Sequence, residues 1–458
     1  MPGTAPAQAA PQLARDLGVS HATAIVVGTI IGSGIFLVPS EMMQAVGSAK
    51  LVYLAWLVGG LLSFFGALTY AELGAMKPEA GGEYIYVRDG YGPLGGFLYA
   101  WTTVVISKPA SIATITTGFV RILGTFPVFS FFSNPILTKP LSITYGQFAA
   151  IAAAAFISFL NYIGVKKAGE FQLIFTLLKV AIILGTVVAC LGSHRGAGWS
   201  NFATTFTGAK GGIAGFMVAL VAALWAYDGW NDLNMVAGEV RNPQRNIPIA
   251  LIVGVAMVGA LYVLMNVAVQ YVLPASAIAL SPRPASAAIA LVAGALGASV
   301  VSAGMALSML VTLNGTTMSG ARVPFAAARD GYFFPSVARV HPRFLTPSVA
   351  IVLQFGLAST LLLLGGSFQQ LFSLAIFAEW LFYMITASTV FVFRRREPDA
   401  HRPYRVWGYP VVPVLFVLAS AVLLYYTFTE NLRNSLVGTL VILAGIPGFY
   451  YFRRRRLA

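Results

Sequence analysis

Two apolar stretches of the sequence each carry residues that weaken a helix at its centre. The first reads Gly28-Thr29-Ile30-Ile31-Gly32-Ser33-Gly34, and the second reads Trp225-Ala226-Tyr227-Asp228-Gly229-Trp230-Asn231. Glycine has a low helix propensity, and an acid inside an apolar stretch is costly and usually functional. An interrupted helix exposes N–H groups where one half begins and C=O groups where the other half ends. The N–H end suits a carboxylate, and the C=O end suits an ammonium.

Close helix packing is the alternative explanation for these glycines, because small residues also let two helices approach each other. That explanation fits Gly28 and Gly32 as well as an interruption does, but it fits Gly34 and the Asp228-Gly229 pair less well. We therefore expect both segments to be interrupted. An α-amino acid carries a carboxylate and an ammonium on one carbon, so a pair of interruptions suits it as a ligand.

The elements that carry these segments are predicted to be transmembrane helices. Of the 458 residues, 58% are hydrophobic and 10% are charged, whereas soluble domains carry about 25% charged residues. A helix needs roughly 20 apolar residues to cross a bilayer, and backbone groups in lipid must be satisfied within the segment. The alternating polarity of membrane strands is not seen. About twelve spans are predicted, near 22–45, 51–76, 92–124, 144–163, 170–191, 213–238, 248–273, 287–319, 347–366, 369–393, 408–429 and 435–452.

The basic residues predict the orientation of these spans. With the N-terminus placed inside, most of the 29 Lys and Arg residues fall in inner loops, including the runs at 394–396 and 453–456. The positive-inside rule then places both termini in the cytoplasm of a multi-pass protein of the cell (inner) membrane. Residues 1–20 lack a secretory-signal pattern, so we expect a cytoplasmic N-terminal tail there.

The remaining composition argues against an enzyme. The single cysteine, Cys190, allows no intrachain disulfide. Each histidine stands alone, and neither a zinc-ligand spacing nor a phosphate-binding loop is present. We therefore expect no catalytic residues, no metal and no cofactor. Nucleic acid is an unsuitable partner, because the positive charge lies in short loops between spans, next to the lipid bilayer.

Several ordered motifs resemble the amino acid–polyamine–organocation superfamily, within its L-amino-acid transporter branch. The two interrupted segments match that branch, as do Pro78-Glu79-Ala80-Gly81-Gly82-Glu83-Tyr84 and Gly238-Glu239-Val240-Arg241-Asn242-Pro243. The resemblance implies an all-α LeuT-type fold, in which two inverted five-helix repeats are followed by two further spans. The repeats would cover 21–195 and 196–368, the tenth span would continue to about 393, and 394–458 would hold the last two spans and a basic C-terminus.

The resemblance also implies a substrate site at the two interruptions. Backbone groups of the first interruption would bind the carboxylate and amine of the substrate, and residues of the second would line the other side. Trp225 stands where relatives usually have Phe, and it would act as an aromatic lid. The implied site residues are Ile31, Gly32, Ser33, Gly34, Trp225, Ala226, Tyr227 and Asp228.

Four further polar residues lie inside predicted spans, each with an alternative explanation. By resemblance, Lys179 would replace a bound sodium ion, whereas a structural cation paired to carbonyls is the alternative. Lys108 has either a transport role or a structural pairing. Glu379 is either a proton site or a hydrogen-bonded structural acid. Asn314 is interpreted as a contact between helices rather than as a ligand.

Together these features predict a sodium-independent secondary transporter of L-amino acids, neutral or of broad range, that works by alternating access and exchange. A proton-coupled permease for cationic amino acids or polyamines is the alternative, and Asp228 and Glu379 would support it. A solute-gated receptor or channel on the same fold is the non-carrier alternative. Animal relatives join a heavy subunit through a cysteine between spans three and four. The 125–143 loop has none, so we expect no disulfide-linked partner; the oligomeric state is not indicated.

The distribution of basic residues generates a test of topology. A cysteine introduced next to Arg396 should react with an impermeant thiol reagent only from the cytoplasmic face. A cysteine introduced next to Arg195 should react only from the opposite face. Labelling of both positions from one face would contradict the twelve-span arrangement.

Overall fold

The computed structural model is all-helical apart from one short hairpin, and it describes residues 12–138, 143–364, 368–430 and 432–457. Its helices are α1 (Val19–Ile30), α2 (Gly34–Val46), α3 (Ala49–Met76), α4 (Glu83–Tyr91), α5 (Pro93–Thr102), α6 (Lys108–Leu123), α7 (Tyr145–Tyr162), α8 (Val165–Leu191), α9 (Gly212–Ala226), α10 (Asp232–Met235), α11 (Pro243–Val272), α12 (Ala275–Leu280), α13 (Pro284–Gly320), α14 (Arg322–Arg329), α15 (Ser348–Leu364), α16 (Phe368–Arg396), α17 (Val411–Glu430), α18 (Leu432–Leu443) and α19 (Gly445–Leu457). The hairpin pairs β1 (Pro135–Leu137) antiparallel to β2 (Ile143–Thr144).

The helices confirm an all-α, multi-pass membrane fold. Within the described residues, 8 helical segments are long and apolar enough to cross a membrane, and α9 and α15 are shorter apolar helices. With α7 and α16, the order along the chain is that of the predicted spans. In this count, α1 with α2, α5 with α6, α9 with α10, and α18 with α19 each form one crossing. The first and sixth spans are the interrupted ones at the centre of this LeuT-type fold.

Three short helices were not expected from the sequence, namely α4, α12 and α14. Each is far shorter than the roughly 20 apolar residues of a membrane span, so a search for apolar length does not detect them. The structure also differs from a continuous helix within α13. There Gly294 has φ 65°, which splits the helix into two segments.

The third span contains a π-helical turn, Thr103–Ser107, between α5 and α6. Pro109 in the first turn of α6 has no N–H, so it cannot donate to the carbonyl four residues earlier. The helix accommodates this loss by local rearrangement, as π-turns near functional sites commonly do. Lys108 follows this turn directly, as the first residue of α6.

The interrupted helices occupy the middle of the bundle. Helix α1 packs against α8, α11 and α13, whereas α2 packs against α9 and α12. Because lipid tails are as apolar as leucine, such contacts depend on close packing and on hydrogen bonds between helices. The first interruption is therefore surrounded by helices on most sides, and its backbone groups face protein rather than lipid.

At one end of the bundle, hydrogen bonds and an ion pair close the structure around the segment before α1. The Leu17 N–H donates to the Glu239 carbonyl at 3.0 Å, and the Arg241 N–H donates to the Leu17 carbonyl at 2.8 Å. The guanidinium of Arg322 donates to both carboxylate oxygens of Glu239, each at 2.8 Å, and both side chains are fully buried. The segment before α1 is thus joined to the segment after α10, so the two interrupted spans are linked at this end.

Candidate functional site

The two interruptions touch each other at the centre of the bundle. Residues 31–33 separate α1 from α2, and residues 227–231 separate α9 from α10. A Cβ atom on Gly34 would lie 2.9 Å from the Cα of Ala226, which is too close for any other residue. Gly229 has φ 103°, and a Cβ there would lie 2.8 Å from the Thr29 side chain. Glycine is therefore required at both points where the broken helices cross.

A cavity of about 100 Å³ lies at these interruptions. Both broken helices contribute to its wall, and α6, α13 and α16 complete it. The lining residues are Thr29, Ile30, Gly32, Ser33, Gly34, Lys108, Ser111, Thr114, Ile115, Trp225, Ala226, Asp228, Gly229, Asp232, Met309, Thr312, Thr316 and Glu379. Most of the residues predicted to bind substrate are therefore brought together around one space.

Two of the predicted binding residues do not line this cavity. Ile31 is fully buried, and its carbonyl oxygen is used by other side chains of the protein. Tyr227 is also buried, and its ring packs against Trp56 and Tyr262 with centroid separations of 5.7 and 5.0 Å. Trp225, by contrast, lies at the cavity wall beside Gly34, where an aromatic lid was expected.

The half-helix ends present opposite partial charges to the cavity. Helix α2 begins at Gly34, so the N–H groups of Gly34 and Ile35 have no acceptor within the helix, whereas those of Phe36 and Leu37 donate to the Ser33 carbonyl. The Ser33 side chain makes no capping hydrogen bond to them. Helices α1 and α9 end at Ile30 and Ala226, where carbonyl oxygens carry partial negative charge. A carboxylate and an ammonium can thus both be accommodated here.

One tyrosine hydroxyl ties the two interruptions together. The hydroxyl oxygen of Tyr262 in α11 lies 3.0 Å from the Ile30 carbonyl and 2.7 Å from the Ala226 carbonyl, so its single O–H proton is shared between the two carbonyls. It connects the end of α1 to the end of α9, although the two ends are far apart in sequence. Tyr262 was not predictable as a site residue, because a tyrosine in an apolar span carries no signal that distinguishes it from core packing.

Lys179 occupies a cluster of oxygen atoms at the first interruption. Its Nζ donates to the carbonyls of Gly28 and Ile31, each at 2.6 Å, and the side chain is buried. The Thr312 hydroxyl lies 3.2 Å from both of these carbonyls, and Ser308 donates to the Ile31 carbonyl at 2.7 Å. Lys179 binds the back of the interruption and does not line the cavity.

Charged side chains form the opposite wall of the cavity. Lys108 Nζ lies 2.5 Å from Asp232 Oδ1, and both side chains are largely buried. Asp228 Oδ1 accepts a hydrogen bond from the Tyr383 hydroxyl at 2.8 Å. Glu379 forms no ion pair with the described residues. Asp232 was not among the predicted site residues, although an acid four residues after Asp228 in the same span was a detectable signal.

Asn314 does not line the cavity, and it connects three helices instead. Its Nδ2 donates to Gln172 Oε1 at 2.7 Å and to the Ala168 carbonyl at 3.0 Å, and its Oδ1 accepts from Asn161 at 2.8 Å. These bonds join α13 to α8 and α7. The geometry agrees with a contact between helices.

A buried acid outside the spans extends this polar network. Glu83, the first residue of α4, accepts a hydrogen bond from Asn231 at 3.1 Å and another from the Tyr99 hydroxyl. The Tyr383 hydroxyl lies 3.0 Å from Asn231 Oδ1 and 2.8 Å from Asp228 Oδ1, so its single proton is shared between these two oxygens. Burial raises the pKa of Glu83 to about 7, although these hydrogen bonds favour its charged form.

The comparison with known families decides the identity. Residues 17–450 match the family described as amino acid permease. The chain belongs to this family. The match covers both interrupted spans of this permease, on which the cavity is built.

Three relatives illustrate the similarity. The serine/threonine exchanger SteT of Bacillus subtilis (strain 168) is 32% identical over 449 residues, 97% of this chain and 98% of SteT. The b(0,+)-type amino acid transporter 1 of Homo sapiens is 34% identical, over 96% of this chain and 88% of the relative. The cystine/glutamate transporter of Homo sapiens is 30% identical, over 98% and 87%. All three are named as transporters or exchangers.

The raised pKa of Glu83 predicts how the permease responds to pH. An unfolded glutamate releases its proton near pH 4.5, whereas folded Glu83 holds it until about pH 7. As pH rises through this window, the folded state of the wild-type protein therefore loses stability relative to a variant with a non-ionisable residue at position 83. Glu83→Gln should gain melting temperature over wild type between about pH 5 and pH 7, and the gain should stay constant above pH 7.

Thermal unfolding in detergent at several pH values measures this difference. Glu79→Gln, at an exposed position of the same loop, serves as the matched control and should show no such trend. A constant difference between Glu83→Gln and wild type from pH 5 to pH 8 would mean that Glu83 titrates normally.

Proposed function

We propose that this permease exchanges L-amino acids across the cell membrane by alternating access, without sodium. The observation that carries the proposal is the cavity at the meeting point of two interrupted helices, where N–H and C=O ends converge. The first and sixth spans run in opposite directions, since successive spans alternate in direction and the sixth comes five places after the first. Interrupted helices at matching positions of inverted halves are the usual place of a transporter's substrate site.

The substrate is held by the ends of the half-helices. Its α-carboxylate lies at the first turn of α2, next to the N–H groups of Ser33 and Gly34. Its ammonium faces the carbonyl ends of α1 and α9. Trp225 closes over the bound molecule and excludes water, which strengthens these electrostatic contacts. The backbone groups bind the carboxylate and ammonium that all α-amino acids share. The other residues of the cavity wall contact the substrate side chain and select among amino acids.

Independence from sodium is supported by the position of Lys179. A sodium-coupled carrier of this fold coordinates the ion with carbonyls freed at an interrupted helix. Here the ammonium of Lys179 takes two of those carbonyls, on Gly28 and Ile31, and Thr312 contacts the same pair. A resident positive charge leaves no place for a second cation among these oxygens.

The exchange mode is supported by the links between the moving parts. Tyr262 joins the two interruptions, and the contact of Leu17 with Glu239 joins the same two spans at the closed end. The broken helices therefore move together. The carboxylate of a bound substrate supplies an acceptor to the N–H groups at the start of α2 during that movement, and an empty cavity does not, which favours return with a second substrate.

The proposal extends to the organisation of the chain. The repeats cover 21–195 and 196–368, and both termini are cytoplasmic. A disulfide-linked heavy subunit is not required, because Cys190 is buried and the 125–143 loop contains no cysteine. SteT is named as an exchanger and matches this chain over nearly its whole length, which supports the exchange mode.

Counterflow in proteoliposomes tests this function. Purified permease is reconstituted with an unlabelled amino acid inside, and uptake of the labelled amino acid from a dilute external solution is measured. Internal amino acid should stimulate uptake severalfold over empty liposomes. Replacement of external sodium by choline should leave the rate unchanged. Uptake that rises steeply with sodium would contradict the proposal, and flux that never saturates would indicate a channel.

The role of Lys179 has its own test. Lys179→Ala removes two charge-assisted hydrogen bonds to the first interruption, and each such bond contributes about 1.5–3 kcal/mol. We expect exchange to fall by about tenfold or more, with a smaller loss of substrate binding, because α8 no longer holds α1. Counterflow and equilibrium binding measure the two effects.

Lys167→Ala provides the matched control, since Lys167 is an exposed lysine of the same helix. It should exchange at the wild-type rate. A Lys179→Ala protein of full activity would show that the ammonium is not needed for coupling.

A further inference from the structure

The cavity wall carries more negative than positive groups. Three carboxylates line it, on Asp228, Asp232 and Glu379, together with one ammonium, that of Lys108. Lys108 is already paired with Asp232 at 2.5 Å. Asp228 and Glu379 take part in none of the ion pairs formed by the described residues. A neutral amino acid brings equal charges of both signs and does not change this imbalance, whereas a basic amino acid brings one further cation.

Glu379 is the less satisfied of the two unpaired acids. Its Oε1 atom accepts hydrogen bonds from the hydroxyls of Ser107 and Ser111, each at 3.3 Å, which is long for such bonds. No described residue donates to its Oε2. Asp228, by contrast, accepts a 2.8 Å bond from Tyr383. Glu379 therefore keeps acceptor capacity at the cavity wall.

A second observation on the same side of the cavity points to a missing partner. Thr114 is only 6% exposed and lines the cavity, yet its hydroxyl has no hydrogen-bond partner in the described part of the chain. Buried hydroxyls are almost always hydrogen-bonded, so this one calls for a ligand group. Thr114 lies three residues after Ser111 on α6, so both point to the same side of that helix.

The walls between this polar corner and the helix ends are apolar. Ile30, Ile115, Trp225 and Met309 line the cavity there. An aliphatic chain packs well against such residues while its charged end reaches a polar group, as lysine and arginine side chains do in proteins. The cavity thus offers a place for each part of a basic amino acid: backbone ends, an aliphatic chain and a terminal cation.

We propose that Glu379, with the hydroxyls of Ser111 and Thr114, binds the terminal cation of a basic amino acid such as lysine or arginine. The inference rests on the proposed function, since it takes the α-carbon groups to lie at the two interruptions. It makes Glu379 a specificity-determining residue for the charge of the substrate side chain. The terminal ammonium donates to Glu379 and Thr114 and completes the hydrogen bonds that the protein alone leaves open.

Lysine and norleucine give a matched pair of probes, because they share the same aliphatic chain and differ in the terminal ammonium. The half-inhibitory concentration of each is measured against counterflow of a labelled neutral amino acid in proteoliposomes. Wild-type permease should prefer L-lysine. Glu379→Gln should raise the half-inhibitory concentration of lysine by about tenfold and that of norleucine by no more than about twofold. The reason is that a charge-assisted hydrogen bond is lost only for lysine.

A second variant keeps the test independent of the folding of the first. Thr114→Val preserves the shape of the side chain and removes the unpaired hydroxyl. It should raise the half-inhibitory concentration of lysine by about threefold and leave that of norleucine unchanged. Glu41→Gln, at an exposed position of α2 away from the cavity, is the matched control and should leave both values unchanged.

The outcomes separate this inference from the proposed function. Neutral amino acids that exchange while lysine and arginine fail to compete would overturn the inference and leave the exchange function intact. Equal weakening of lysine and norleucine by Glu379→Gln would make Glu379 structural. If Glu379→Gln flattened the dependence of counterflow on pH and left the ratio of the lysine and norleucine half-inhibitory concentrations unchanged, Glu379 would be a proton site. That result also overturns the inference. Failure of every amino acid to drive counterflow would instead reject the proposed function.

Discussion

The carbonyl oxygens of Gly28, Ile30 and Ile31 lose their helical partners where α1 ends, and in the middle of a membrane no bulk water replaces them. Each of these oxygens is met by a side chain from another helix. Lys179 reaches two of them, and Tyr262 reaches the third together with the carbonyl at the end of α9. The requirement for these partners determines which helices must surround the first interruption and how closely they approach it.

The same requirement makes the two interruptions different. The first is held by a buried ammonium and by hydroxyls of α13, so its positive charge belongs to the protein. The second places carboxylates at the cavity wall, and among the described residues the one ion pair there joins Asp232 to Lys108. The charged groups at the first interruption therefore have partners within the protein, whereas Asp228 and Glu379 at the cavity wall form no ion pair with the described residues.

The sequence by itself determined the class of protein and the positions of the two helix interruptions. Apolar length predicts the crossings because a bilayer has a defined thickness, and this physical limit does not depend on tertiary structure. The interruptions were also predictable, since glycine and an acid in an apolar segment act locally on the helix that contains them. Gly34 and Gly229 do lie where the broken helices cross. Lys179 was identifiable because a charged residue within a span is rarely there without a partner.

Only the tertiary structure decided which groups meet. Periodicity shows the face of a helix on which a residue lies, but it does not show which helix that face contacts. The pairing of Lys108 with Asp232 joins positions 124 residues apart, and neither Tyr262 nor Thr114 differs in type from ordinary core residues. The packing of Tyr227 against Trp56 was equally unpredictable, since the residues next to it in the sequence line the cavity. Side-chain contacts across helices depend on rotations and close approaches of whole segments, which no local pattern of residues records.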